Sequence, residues 1–102
     1  MKKKAYKSAD SFFESLLEDD EIRMLYEEER AKTQFAATVR EARKRANLTQ
    51  AELAKKVKTT QSVIARLESG TDSRVPSLPL LARIAAACDG ALEVGFKLKK
   101  AG

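Results

Sequence analysis

Residues 49–70 read TQAELAKKVKTTQSVIARLESG, and the side chains best suited to specific hydrogen bonding lie within them. Gln61, Ser62 and Arg66 fall on one side of a short helical pattern, with Thr60, Ala65 and Ser69 completing the same outward face. A Gln amide matches the donor–acceptor pair of adenine in the major groove, and an Arg guanidinium matches the two acceptors of guanine. These are groups that grip a surface. The composition offers no comparable set for breaking bonds, with no His and a single Cys. Without His there is no imidazole acid–base chemistry, and one Cys allows neither an intramolecular disulfide nor a Cys-only zinc site. No metal-ligand cluster, Gly-rich phosphate loop or nucleophile framework is legible. The expectation is a binding protein, not an enzyme, with no metal and no cofactor.

Two short helices flanking a tight turn would position those side chains. Thr49 with Glu52 three residues on forms a Thr-x-x-Glu capping box that opens the first helix, whose inner stripe is Leu53, Ala54 and Val57. Lys58-Thr59-Thr60 makes the turn, and Thr59 or Thr60 caps the second helix, which buries Ile64 and Leu67 and stops at Gly70. Small Ala54 allows close approach, while Val57, Ile64 and Leu67 fill the wedge. After the polar loop 71–75, Ser77 caps a helix with Pro79 in its first turn and Leu78, Leu81, Ile84, Ala85 and Cys88 as its core stripe, ended by Gly90. Cys88 reads as a small core hydrophobe.

The flanks differ in character. Ser8 or Asp10 caps a helix over residues 10–18 with Phe12, Phe13, Leu16 and Leu17 on its apolar face. A second begins near Asp19 or Asp20, carries Ile22, Leu25 and Tyr26, and continues towards Ala46 as one long helix or two abutting ones. At the other end Leu92, Val94, Phe96 and Leu98 alternate with Glu93, Gly95, Lys97 and Lys99, the period of a half-buried strand. A lone strand leaves its backbone groups unpaired, so its simplest partner is the same strand of a second copy across a two-fold axis. A frayed tail is the alternative.

With 102 residues and 43% hydrophobic content the chain is long enough for one domain with a short extension. Its +5 net charge is unevenly spread: residues 1–7 hold four Lys, residues 8–29 hold nine acids against Arg23, and the remainder holds fifteen bases and six acids. An acidic arm on a basic body suggests a basic protein for the first and nucleic acid for the second, although a charge run is also what a solvated helix face looks like. No apolar run approaches a membrane span, and Lys2–Lys4 do not open a secretory signal, so a cytoplasmic protein with no membrane partner is expected.

The run Gln50-Ala51-Glu52-Leu53-Ala54, Val57, Thr60-Gln61 and Arg66-Leu67-Glu68-x-Gly70 closely resembles the Cro/C1 or XRE class of helix-turn-helix proteins over residues 35–88. The resemblance implies an all-α, five-helix, lambda-repressor-like domain. It also implies that Gln50 anchors a phosphate and supports Gln61, that Gln61, Ser62 and Arg66 face base edges, and that Thr60, Ser73 and Arg74 face the sugar-phosphate backbone. Arg43 and Glu68 occupy the positions of a structural ion pair. The layout of N-terminal helices, helix-turn-helix and one C-terminal strand is similar to that of the HigA group of antitoxins. There the run Leu16–Tyr26, LLEDDEIRMLY, belongs to the N-terminal helical segment. This divides the chain into an acidic toxin-binding segment 1–32, a DNA-binding domain 33–90 and a dimerising strand 91–102. The implied role is a homodimeric autorepressor of a palindromic operator that neutralises a RelE/HigB-like mRNA-cleaving toxin. Phe12, Phe13, Leu16, Leu17, Ile22, Leu25 and Tyr26 are the candidate toxin contacts, shared with the protein's own core. A stand-alone repressor of the same class is the alternative.

Overall fold

A computed structural model describes residues 9–71, 74 and 76–99. It contains five helices: α1 (Ala9–Leu16), α2 (Asp20–Arg45), α3 (Gln50–Val57), α4 (Gln61–Ser69) and α5 (Leu78–Ala87). The chain forms two compact units, Met1–Gln34 and Phe35–Gly102.

In the first unit, Asp19 starts α2 by accepting the backbone N–H groups of Glu21 and Ile22 on Oδ1 at 2.9 and 3.2 Å. Asp20 and Glu21 follow in the first turn, where the helix dipole favours acids, and Arg43, Lys44 and Arg45 fill the last turn, where it favours bases. Of the two options left open by the sequence, one uninterrupted helix of 26 residues is realised. Ser8, the other cap candidate for α1, lies outside the described residues. Phe13 and Tyr26 meet edge to face at 5.0 Å and pin α1 to α2. Leu16 and Leu17 are half-buried, but α1 has no fully buried residue.

The second unit has a dense core of Val39, Leu53, Ala54, Val57, Ile64, Leu67, Leu81 and Ile84, with Phe35, Leu48, Leu80, Cys88 and Leu92 packed around it. α3 packs against both α4 and α5. The Thr49 box is complete: Thr49 Oγ1 accepts from Glu52 N at 3.0 Å, and Glu52 Oε1 accepts from Thr49 N at 2.8 Å. The tight turn is closed by Lys58 in the left-handed region at φ 64°, which lets Thr59 N reach the Ala54 carbonyl at 2.9 Å. Thr60, not Thr59, caps α4, and Ser77 caps α5.

Three sequence expectations are corrected. Leu78 is 57% exposed, because it stands at the first position of α5, one turn short of where Leu81 meets the core. α5 ends at Ala87, and Asp89 rather than Gly90 takes the left-handed conformation, at φ 65°. Gly90 instead donates its N–H to the Ala85 carbonyl at 2.8 Å, completing the helix stop. Residues 91–99 form no strand, and none occurs among the described residues, because a strand exists only against a ladder partner and one chain supplies none here. Leu92 joins the core rim, whereas Val94, Phe96 and Leu98 are exposed.

Two stability outcomes follow. Ile64→Ala, at a fully buried site, should lower unfolding free energy by about 2–5 kcal/mol in urea titrations, whereas Leu78→Ala should change it by less than about 1 kcal/mol. Lys58→Gly should raise it by up to about 1 kcal/mol, since glycine adopts the left-handed turn without a Cβ penalty.

Candidate nucleic-acid interface

α4 is two-faced by construction. Ile64, Leu67 and Glu68 are buried, and Gln61, Ser62, Arg66 and Ser69 are exposed. With 100° per residue, positions 61, 62, 65, 66 and 69 fall within an arc of about 140°. That arc carries amide, hydroxyl and guanidinium groups and no acid. It is a surface a phosphate-lined groove would accept. Thr60 is exposed at the N-terminal end of the arc, but its hydroxyl already accepts the Val63 N–H at 3.3 Å as the helix cap. Arg74 is exposed and lines a shallow cleft of about 170 Å³ with Arg66, Ser77 and Leu80, between α4 and the start of α5. Ser73 lies outside the described residues. Exposed Lys55, Lys56 and Lys58 stand at the end of α3, suited to phosphates.

Beneath the arc, Glu68 is 4% exposed and is the one charged residue buried among those described. Arg43 Nε donates to its Oε2 at 2.6 Å and Arg43 Nη2 to its Oε1 at 3.0 Å, a bidentate pair. Gln50 Nε2 donates to the same Oε1 at 3.1 Å. Arg43 Nη1 reaches the Leu48 carbonyl at 2.8 Å, tying in the α2–α3 turn. Burial pushes the Glu68 carboxyl up, but the hydrogen bonds from Arg43 and Gln50 and the charges of Arg43 and Arg40 outweigh it, leaving Glu68 below the ordinary carboxylate range. The Glu68 hydrogen bond likewise raises the Arg43 guanidinium.

Two of the candidate DNA-facing residues also make hydrogen bonds within the chain. Ser69 Oγ donates to the Arg66 carbonyl at 2.8 Å and so spends its hydrogen on the end of α4. Thr71 then donates to Ser69 Oγ at 2.7 Å, and Ser69 serves as a helix-end residue within the exposed arc. Gln50 is turned towards Glu68. Arg40 was missed by sequence reasoning, yet its Nη1 donates to the Glu68 carbonyl at 2.7 Å. The available signal was its position three residues before Arg43, one turn along the same face of α2. Cys88 is half-buried, and burial together with the Asp89 charge pushes its thiol up, which suits an inert packing residue.

In the first unit the structure brings Phe13 and Tyr26 together and leaves Phe12, Leu25 and Ile22 exposed. Met24, which the sequence reading passed over, is exposed beside them. Among the described residues, no cluster of His, Cys, Asp and Glu could hold a metal ion. None of the described helices is long and apolar enough to cross a membrane.

A helix-turn-helix family model matches residues 39–94. The chain belongs to the helix-turn-helix family, in its XRE class. The match takes in the end of α2 and all of α3, α4 and α5, and makes the protein a DNA-binding transcriptional regulator. Neither the curated proteins nor the solved structures yielded a match.

The lowered Glu68 pKa sets a pH dependence. A carboxyl that titrates lower in the folded than in the unfolded chain contributes stability that is complete above the unfolded value and is lost as pH falls through the folded one. Urea midpoints should therefore drop on acidification below the ordinary carboxylate range. Glu68→Gln should cost about 3 kcal/mol at neutral pH, by leaving Arg43 unpaired, and should flatten that acid slope. An unaltered slope in Glu68→Gln would assign the acid sensitivity to other carboxylates.

Proposed function

We propose that this helix-turn-helix regulator is the antitoxin of a type II toxin–antitoxin system. In this reading it acts in the cytoplasm as a homodimeric repressor of its own palindromic operator and binds a small basic RelE/HigB-like mRNA-cleaving toxin. It has no catalytic role of its own. The DNA-reading half rests on the exposed polar arc of α4 above buried Ile64, Leu67 and Glu68. Gln61, Ser62 and Arg66 supply the base-edge groups, while Thr60, Arg74 and the α3 lysines face phosphates. Two copies of α4, one per protomer, would enter successive major grooves about one helical turn apart.

The toxin-binding half is supported by the first unit. Residues 8–29 combine nine acids with exposed Phe12, Met24 and Leu25. A nuclease that holds RNA must be basic, so charge would steer the encounter and the apolar anchors would supply most of the affinity. The dimer is supported by the C-terminal alternation, with Phe96 91% exposed in the single chain. Antiparallel pairing with a second copy would satisfy the backbone of residues 92–98 and cover Val94, Phe96 and Leu98. A second reading, a stand-alone repressor, draws on the family match starting at Val39, which leaves the acidic unit outside it.

Three measurements test these parts. Arg66→Ala should cost roughly 1–3 kcal/mol of specific DNA binding and relax one base position; equal losses on specific and random DNA would argue against base readout. Val94→Asp with Phe96→Asp should give monomers by light scattering and weaken operator binding, and persisting dimers would remove this segment from the interface. The protein purified from its own cells under mild conditions should carry a stoichiometric basic partner, lost when residues 1–30 are deleted. Recovery of a bare homodimer would favour the stand-alone repressor.

A further inference from the structure

We propose that Arg40 is a positioning residue for base recognition, holding the tilt of α4 by gripping the backbone at its C-terminal end. The inference rests on the DNA-reading role of α4 given above. The last carbonyls of a helix have no partner within it. In α4 they are taken by three separate donors: Ser69 Oγ on Arg66, Gly70 N on Leu67 at 3.3 Å, and Arg40 Nη1 on Glu68 at 2.7 Å. The first two donors belong to the end of α4 itself and the turn after it, and move with it. Arg40 belongs to α2.

Arg40 and Arg43 both end on Glu68, one on its carbonyl and the other on its carboxylate. The two grips are not equivalent. The carboxylate hangs on three rotatable bonds, so α4 can pivot while the ion pair stays closed. The carbonyl is part of the helix frame, and holding it holds the helix. α2 also passes close to this end: a Cβ on Gly70 would sit 3.4 Å from the Ala36 Cβ.

The lever is long enough to matter. Gln61 and Ser62 lie about 10 Å along the axis from Glu68, while Arg66 lies about 3 Å from it. A tilt of about 10° about the Glu68 end displaces the first two by about 2 Å and Arg66 by about 0.5 Å. The hydrogen-bond window is only about 0.5 Å wide. Releasing Arg40 therefore carries Gln61 and Ser62 well beyond that window, whereas the shift at Arg66 does not exceed it and is within reach of its long side chain.

The test uses the full chain, the best duplex that the wild-type protein selects from a randomised library, and a scrambled duplex of equal length. Arg40→Met should weaken binding to the selected duplex roughly tenfold, the scale of one displaced bidentate base contact, and to the scrambled duplex less than about twofold. The salt slope should not change, measured well below the melting temperature. Arg40→Met combined with Gln61→Ala should be no weaker than the weaker-binding single variant, whereas its effect should multiply with that of Arg66→Ala. Should Arg40→Met fail to fold, Arg40→Lys, which keeps the charge and loses the planar fork, enters the same comparison. Multiplying effects of Arg40 and Gln61 would overturn the proposal. So would a parallel loss on both duplexes with a shallower salt slope, the mark of a direct phosphate contact. A lowered melting temperature with unchanged DNA binding would make Arg40 a stability residue only and overturn it too. Failure of the wild-type protein to prefer any duplex would instead remove the DNA-reading role itself.

Discussion

A buried carboxylate with no partner is intolerable, and the architecture of the second unit can be traced from how Glu68 avoids that state. Its charge sits at the end of α4, under the exposed polar arc of that helix. Arg43 reaches it from α2 with two parallel hydrogen bonds, and Gln50 reaches it from the first turn of α3. Three helices therefore converge on one carboxylate. Arg43 spends its remaining nitrogen on the Leu48 carbonyl, so the link between α2 and α3 is drawn into the same knot. Such a network is directional in a way that the hydrophobic core is not. Leu53, Val57 and Ile64 drive α3 and α4 together by area, but polar geometry decides the orientation in which they meet.

That division of labour explains the surface of α4. The helix is only 9 residues long and would not persist alone in water. Its inward residues are buried and both of its ends are capped: Thr60 caps the start, and Ser69, Gly70 and Arg40 take the carbonyls of Arg66, Leu67 and Glu68. Because structural demands are met at the ends and on the buried side, Gln61, Ser62 and Arg66 remain on the outward face. A rigid short helix with an adaptable polar face is what groove recognition requires, since contacts that discriminate bases tolerate little displacement.

The first unit follows a different logic. It is rich in acids, anchored by the edge-to-face pair of Phe13 and Tyr26, and it leaves large apolar side chains in water. Phe12 is 67% exposed. Exposed apolar groups stand there among charged ones. Charge of opposite sign on the two parts of the chain, nine acids in residues 8–29 and fifteen bases against six acids from residue 30 on, suits partners of opposite charge.

Much of this was legible in one dimension. The capping box at Thr49 and Glu52, the cap at Ser77, a cap at Thr59 or Thr60, and the stop at Gly70 are local devices, decided by side chains within three residues of the backbone they satisfy, and the structure takes Thr60. Helical periodicity likewise assigned Leu53, Ala54, Val57, Ile64 and Leu67 to the core, because spacing alone determines a helix face. Where local signals competed, tertiary context chose. Asp89, and not the adjacent glycine, took the left-handed position, and Leu78 fell outside the core although its spacing fitted. The alternation at residues 92–98 states a preference for a strand, but a preference cannot create the second strand that the ladder needs. Arg40 marks the same limit. Its distance from Arg43 along α2 was readable, but its partner is a backbone carbonyl 28 residues away, a group every residue possesses. Sequence identifies which side chains can form hydrogen bonds, and only the packed helices decide which carbonyl lies within reach.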